Sequence, residues 1–162
     1  MSHRLQKTKN LTSGFRRGRY KGDKKIMIDF FVPGNPVALK RHRQGKWGNY
    51  DPSASDKADF LAKAMQHKPD KPFNCPLSLT LFFVFPRPKS HFGTGKKANI
   101  LKESAPMWHT GRPDIDNLEK FVCDALNGVF WRDDSIICQK FSEKPYADGR
   151  GIIGVEIGIK LL

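Results

Sequence analysis

RPDIDNLEKFVCDALNGVFWRDD, residues 112–134, decides the fold. Leu118, Phe121, Val122, Ala125 and Leu126 recur at helical spacing, so the middle of the stretch predicts an amphipathic helix over 116–127. Asn127-Gly128 is a stop signal. Aspartates gather at both ends: Asp114 and Asp116 open the helix, and Asp133 and Asp134 follow it.

Outward from this helix, PLSLTLFFVF (76–85) alternates at first, with Leu77, Leu79 and Leu81 on one face, and ends apolar on both. That pattern predicts a central strand. Downstream, Ile153, Val155, Ile157 and Ile159 alternate with Gly154, Glu156, Gly158 and Lys160, predicting a strand at 152–161 with one buried face. Residues 135–143 are its expected hairpin partner, joined through PYADGRG. Upstream, IMIDFFV (26–32) reads as a first strand, and 53–68 as a helix presenting Ala54, Ala58, Leu61 and Met65 and ended by Pro69. The order is β(β)αβαββ: one α+β domain over 26–162, with a mixed sheet and two main helices. Residues 1–25 are basic, with one acid and no apolar periodicity, and are expected to form a disordered arm.

Lysine and arginine total 29 against 16 acids, a net charge of +13, which points to a polyanionic partner, most often nucleic acid. The longest apolar run, LTLFFVF, is too short to cross a membrane. Cys75, Cys123 and Cys138 are sparse, odd in number and without a CxxC pair, so reduced thiols are expected and a zinc site is not.

Two segments concentrate the charge. In PGNPVALKRHRQGKWGNYDP (33–52), a loop or hairpin, Lys40, Arg41, Arg43 and Lys46 lie beside Trp47 and Tyr50, a mixture suited to phosphate contact and base or sugar packing. Residues 86–113 show no period and carry Arg87, Lys89, Lys96, Lys97, Lys102 and Arg112. GTGKK within them is not a nucleotide-binding loop, because Ser90 stands where a glycine is needed and Lys97 where a Ser or Thr is needed. A basic, glycine-hinged loop that closes on DNA is the better reading, with no nucleotide cofactor.

Against this positive field the acids need a reason. Asp116 with Glu119 could form a capping box, which leaves Asp114 unexplained. In extended chain, alternate side chains point the same way, and two such carboxylates repel unless a cation lies between them. Hard oxygen ligands suit Mg²⁺, with Mn²⁺ as the alternative. A helix of 116–127 is about 18 Å long, and residues 128–134 span about 23 Å when extended. Asp133 or Asp134 could therefore return to the helix start on a nearly taut linker, or meet the site of a partner subunit. Lys120 lies one turn after Asp116, as an ordinary solvated pair or as a group that stabilises charge at a reacting phosphate. Asp124 continues the spacing of four and can be a solvated acid. A DxD glycosyltransferase fits neither the size nor the charge. A non-catalytic nucleic-acid-binding protein and a nuclease acting on flaps or forks both remain open.

PDIDNLEK, then DALNG, then a DD pair before a strand resembles the signature of the RusA-type Holliday junction resolvases. YDP (50–52) and PKSHFGTGKKANILKESAP (88–106) resemble phage and bacterial members, and the layout from residue 26 onward fits the family. The resemblance implies a homodimeric, Mg²⁺-dependent endonuclease that resolves four-way DNA junctions in recombination and repair, in the cytoplasm of a bacterial or phage-infected cell. It implies metal binding by Asp114, Asp116 and Asp134, the second acid of its pair, and an essential role for Lys120. Lys40, Arg41, Arg43, Lys46, Lys89, Lys96, Lys97 and Arg112 are the expected DNA contacts.

Overall fold

The computed structural model describes residues 27–46 and 48–162. The basic arm, Ile26 and Trp47 lie outside the described residues.

The first strand, β1, is Met27–Pro33. A hairpin follows, β2 (Arg43–Gly45) and β3 (Gly48–Tyr50), which form a two-stranded sheet of their own among the described residues. Then come α1 (Ala54–Ala64), β4 (Leu77–Val84), α2 (Ile115–Leu126), β5 (Ile137–Glu143) and β6 (Gly154–Leu161). The main sheet runs β1-β6-β4-β5, with β4 and β5 parallel and the other pairs antiparallel. This is the expected α+β domain with a mixed sheet and two main helices.

The core follows from the alternation. Leu77, Leu79, Leu81 and Phe83 of β4 are fully buried, while Ser78, Thr80, Phe82 and Val84 between them are half-buried. Val155, Ile157 and Ile159 of β6 and Phe30 and Val32 of β1 join the same core. The apolar stripe of α2, Leu118, Phe121, Val122, Ala125 and Leu126, is buried as its spacing predicts. Phe121 meets Phe60 of α1 edge-on, with ring centroids 5.6 Å apart. Truncating Phe121 to Ala would cost about 3–5 kcal/mol.

Two expectations fail for physical reasons. β6 does not pair with β5, because β4 lies between them. The chain enters β5 through the α2 crossover, which makes β5 parallel to β4 and seats it on β4's free side. β6 fills the gap between β4 and β1, so alternation identified the strand but not its neighbours. In α1, the Ala54–Ala58–Met65 stripe is exposed and Leu61 only half-buried. The buried face carries Phe60 and Ala64, with Ser53 just before the helix. Phe60 has far more apolar surface to bury than two alanines. Lys57 marks this face as polar in the sequence, yet it is half-buried and paired with Asp51 at 2.5 Å and Asp124 at 3.6 Å.

Candidate active site

Asp114 is the N-cap of α2, in extended backbone (φ −72°, ψ 147°), and Asp116 stands in the first helical turn. The DxD pair thus straddles a loop–helix boundary instead of lying in extended chain. The expected Asp116–Glu119 capping box is absent: the helix starts earlier, and Glu119 pairs with Lys140 of β5 at 3.2 Å. Asp114 caps the helix by position alone. Its carbonyl accepts the Leu118 N–H at 3.2 Å, but its side chain makes no capping hydrogen bond. Both carboxylates are exposed, at the positive end of the helix dipole, a placement worth about 0.3–1 kcal/mol to an acid. Lys120 reaches Asp116 at 3.3 Å, the predicted i,i+4 pair, with each side chain 59% exposed.

The second acidic pair is held differently. The linker after α2 is coiled, not taut. Val129 and Phe130 N–H both bond to Leu126 O, and Gly128, at φ +76°, bonds to Trp131 O. Phe130 and Trp131 are completely buried. Phe73 N–H bonds to Phe130 O, and Arg132 N–H to Phe73 O, which ties the linker to the end of the sheet. Asp134 therefore stays beside the later turns of α2, where its charge and, above all, burial push the Cys123 thiol up to about 12. The buried Trp131 Nε1–H donates to Asp134 Oδ1 at 2.6 Å. Asp133 points elsewhere. It accepts the Ser135 N–H at 2.9 Å, and bonds from Ser135 hold its carboxyl below the usual range.

The fold thus pairs Asp116 with Lys120 just after Asp114 at the cap, and leaves Asp134 near Cys123, farther along the helix. Among the described residues, no three His, Cys, Asp or Glu side chains converge closely enough to hold a metal ion. The donor chemistry nevertheless suits Mg²⁺, which commonly takes one or two protein carboxylates and fills its remaining positions with water and substrate phosphate. Asp114 and Asp116 are exposed, and the Asp114 carboxylate is not tied up in a capping hydrogen bond.

The basic residues form two surfaces. Arg41, Arg43 and Lys46 are exposed on or beside the β2–β3 hairpin, while Lys40 is drawn into a 2.8 Å pair with Asp56. Lys89, Lys96, Lys97 and Arg112 are exposed along 86–113. This segment carries internal structure of its own. Phe92 is buried, Gly93 N–H bonds to Ile100 O, and Lys102 N–H bonds to His91 O. Arg87, a conspicuous loop cation in the sequence, donates to Ala147 O at 2.6 Å and Pro106 O at 2.7 Å. Near the helix start, His109 stacks on Phe85 at 4.0 Å, and burial together with Lys144 lowers its pKa.

Sequence reading missed three contributors: Trp131, Lys140 and Lys144. Only Trp131 left a signal, as an indole three residues before Asp134 with no position in a helical stripe.

A family model described as Endodeoxyribonuclease RusA matches residues 33–160. The chain is also 35% identical over 127 residues to the uncharacterized protein YqaN of Bacillus subtilis (strain 168), which covers 75% of this chain and 89% of that protein.

Proposed function

This chain belongs to the RusA endodeoxyribonuclease family, and from that premise we propose that it resolves four-way DNA junctions by paired, Mg²⁺-dependent phosphodiester hydrolysis. It does so as a homodimer, in recombination and repair, in the cytoplasm of a bacterial or phage-infected cell. The observation that carries this reading is the exposed start of α2, where Asp114, Asp116 and Lys120 stand within the matched region.

Asp114, Asp116 and Asp134 are the residues that would hold Mg²⁺, with Mn²⁺ as a substitute. When bound, the metal supplies Lewis acidity at the phosphate and nucleophilic water at neutral pH. Lys120, poised over Asp116, adds a positive charge where negative charge builds up in the transition state. The buried indole of Trp131 orients Asp134. The hairpin and the 86–113 segment supply cations for the DNA backbone, which carries most of the affinity in such contacts. The separation of Asp134 from the DxD pair favours a site to which a second copy contributes a carboxylate. A twofold dimer also matches the two symmetric cuts that a four-way junction requires.

The test uses a labelled four-way junction and a linear duplex, each with and without Mg²⁺. Symmetric incisions on the junction alone, only with Mg²⁺, are expected. Tight binding without incision would mark a non-catalytic DNA-binding protein, and equal cutting of flaps would move the substrate class. Light scattering should give twice 18.4 kDa, and dimers mixed from wild-type and Asp116→Asn chains should nick one strand.

A further inference from the structure

One residue grips the segment that delivers Asp114 at three points. Lys144 directly follows β5. Its carbonyl accepts the His109 N–H at 2.8 Å. Its ammonium donates to Gly111 O at 2.8 Å and to Pro113 O at 2.7 Å. The two carbonyls flank Arg112, and the second belongs to the peptide bond that enters Asp114.

Holding a lysine this way is costly. Ordering its side chain forfeits rotamer freedom. Lys144 is half-buried and directs its ammonium at two neutral carbonyls. The return is geometric, because the peptide planes that lead into Arg112 and into Asp114 are both held. The same strand that ends in this grip begins three residues after Asp134. β5 therefore spans between the two acidic pairs, with Trp131 orienting the acid at one end and Lys144 fixing the approach to the acids at the other.

We propose that Lys144 is a positioning residue for the nuclease site: it locks the 109–113 segment so that Asp114 and Asp116 enter α2 in working geometry. This rests on the nuclease reading above. Misplacement by about 1 Å costs on the order of 100-fold in rate when reacting groups must be aligned. Replacing Lys144 should therefore act on turnover and leave DNA affinity alone.

The experiment takes full-length wild-type protein with Lys144→Met, Lys144→Gln, Lys144→Arg and Asp116→Asn. It reads kcat and KM on a four-way junction in Mg²⁺, junction affinity in EDTA, melting temperature, and amide NMR spectra with and without Mn²⁺. Lys144→Met should lower kcat about 10–100-fold with KM and affinity changed by less than about twofold. Its Asp114–Asp116 amide resonances should shift, and Mn²⁺ should broaden them less readily than in wild type. Lys144→Arg, which keeps the donors, should recover most of the rate, and Lys144→Gln should fall between. Loss confined to KM, with a salt dependence shallower by about one, would make Lys144 a phosphate contact and overturn the proposal. So would unchanged 114–116 resonances in all three variants, or a large fall in melting temperature that Arg does not repair. Asp116→Asn reports separately on the underlying reading: if it cuts like wild type and Mn²⁺ broadens nothing near 114–116, the metal site fails, while the resonance shifts still judge Lys144.

Discussion

The two acidic pairs flanking α2 are chemically alike and structurally opposite. Asp114 and Asp116 open the helix, exposed, with no cap bond from Asp114 and one cation, Lys120, beside Asp116. Asp133 and Asp134 lie next to buried Trp131 and divide the work: Asp133 fastens a turn through Ser135, and the indole N–H fixes Asp134. A carboxylate already used by the fold is a poor prospect for chemistry. One that is oriented from the core, or left open at a helix start, is a good one. The contrast favours Asp134 over Asp133 as the working member of its pair.

The largest expected effects test that division. Asp114→Asn, Asp116→Asn and Asp134→Asn should each abolish Mg²⁺-dependent cutting while junction binding stays equal or tightens, since a repulsive charge is removed. Asp133→Asn should keep most of the activity and lose a little stability. If Asp133→Asn is dead and Asp134→Asn active, gel-based cleavage assays will have reversed the assignment.

Lys120→Ala should slow cutting by orders of magnitude at nearly unchanged melting temperature, because an exposed i,i+4 pair contributes only about 0.3–0.5 kcal/mol. The molecule contains its own control. Lys63 and Asp59 on α1 have the same spacing at 2.7 Å, so Lys63→Ala should leave turnover intact. Matching losses in the two variants would reduce Lys120 to a surface pair.

Trp131→Phe keeps an aromatic ring in the core but removes the N–H donor to Asp134 together with part of the buried indole, so its activity is read beside its melting temperature. Lost support of this kind typically costs about 10–100-fold in metal affinity or activity. Full activity across a Mg²⁺ titration would show that Asp134 needs no such hold.

Arg41→Gln and Arg43→Gln should weaken junction binding modestly. Each should make the slope of log K against log salt shallower by about 0.9 for every phosphate the protein no longer neutralises. Unchanged slopes would remove the hairpin from the interface.

The smallest effect concerns a carboxylate away from both pairs. Burial, with the charge of Asp29 second, raises the Glu156 pKa. A raised acid holds its proton better folded than unfolded, so Glu156 costs stability as pH climbs from the unfolded value through the folded one, and costs none well below it. Glu156→Gln should therefore be slightly more stable than wild type at neutral pH. That advantage should vanish in acid, as thermal melts at several pH values would reveal.

Much of this was legible in the residues. The α2 stripe, the β4 alternation, the one-sided β6 pattern and the Asp116–Lys120 spacing are local periodicities, and local periodicity survives folding. What was not legible depends on choices between equivalent options. α1 offered two apolar faces, and the one with Phe60 won because its larger surface outweighed a lysine that found partners in Asp51 and Asp124. The DxD pair could sit in extended chain or enter the helix, and Asp114 decided that by taking the cap position. The linker before Asp134 had the length to stretch, but burying Phe130 and Trp131 was worth more. Lys144 showed nothing in sequence, since a lysine bound to main-chain carbonyls leaves no compositional trace.

The placement of β6 has a consequence for biosynthesis. It slots between β1 and β4, pairing Phe30 with Ile157 and Leu81 with the same Ile157. As the ribosome delivers the chain, β1, β4 and both helices emerge with their apolar faces ready but the centre of the sheet missing. The 120 residues from 34 to 153 separate β1 from the strand that completes it, a span that slows closure and leaves β1 and β4 with unpaired edges meanwhile. A ribosome stalled between residues 143 and 154 would hold every acid of the proposed site and still lack the strand that lets the sheet form.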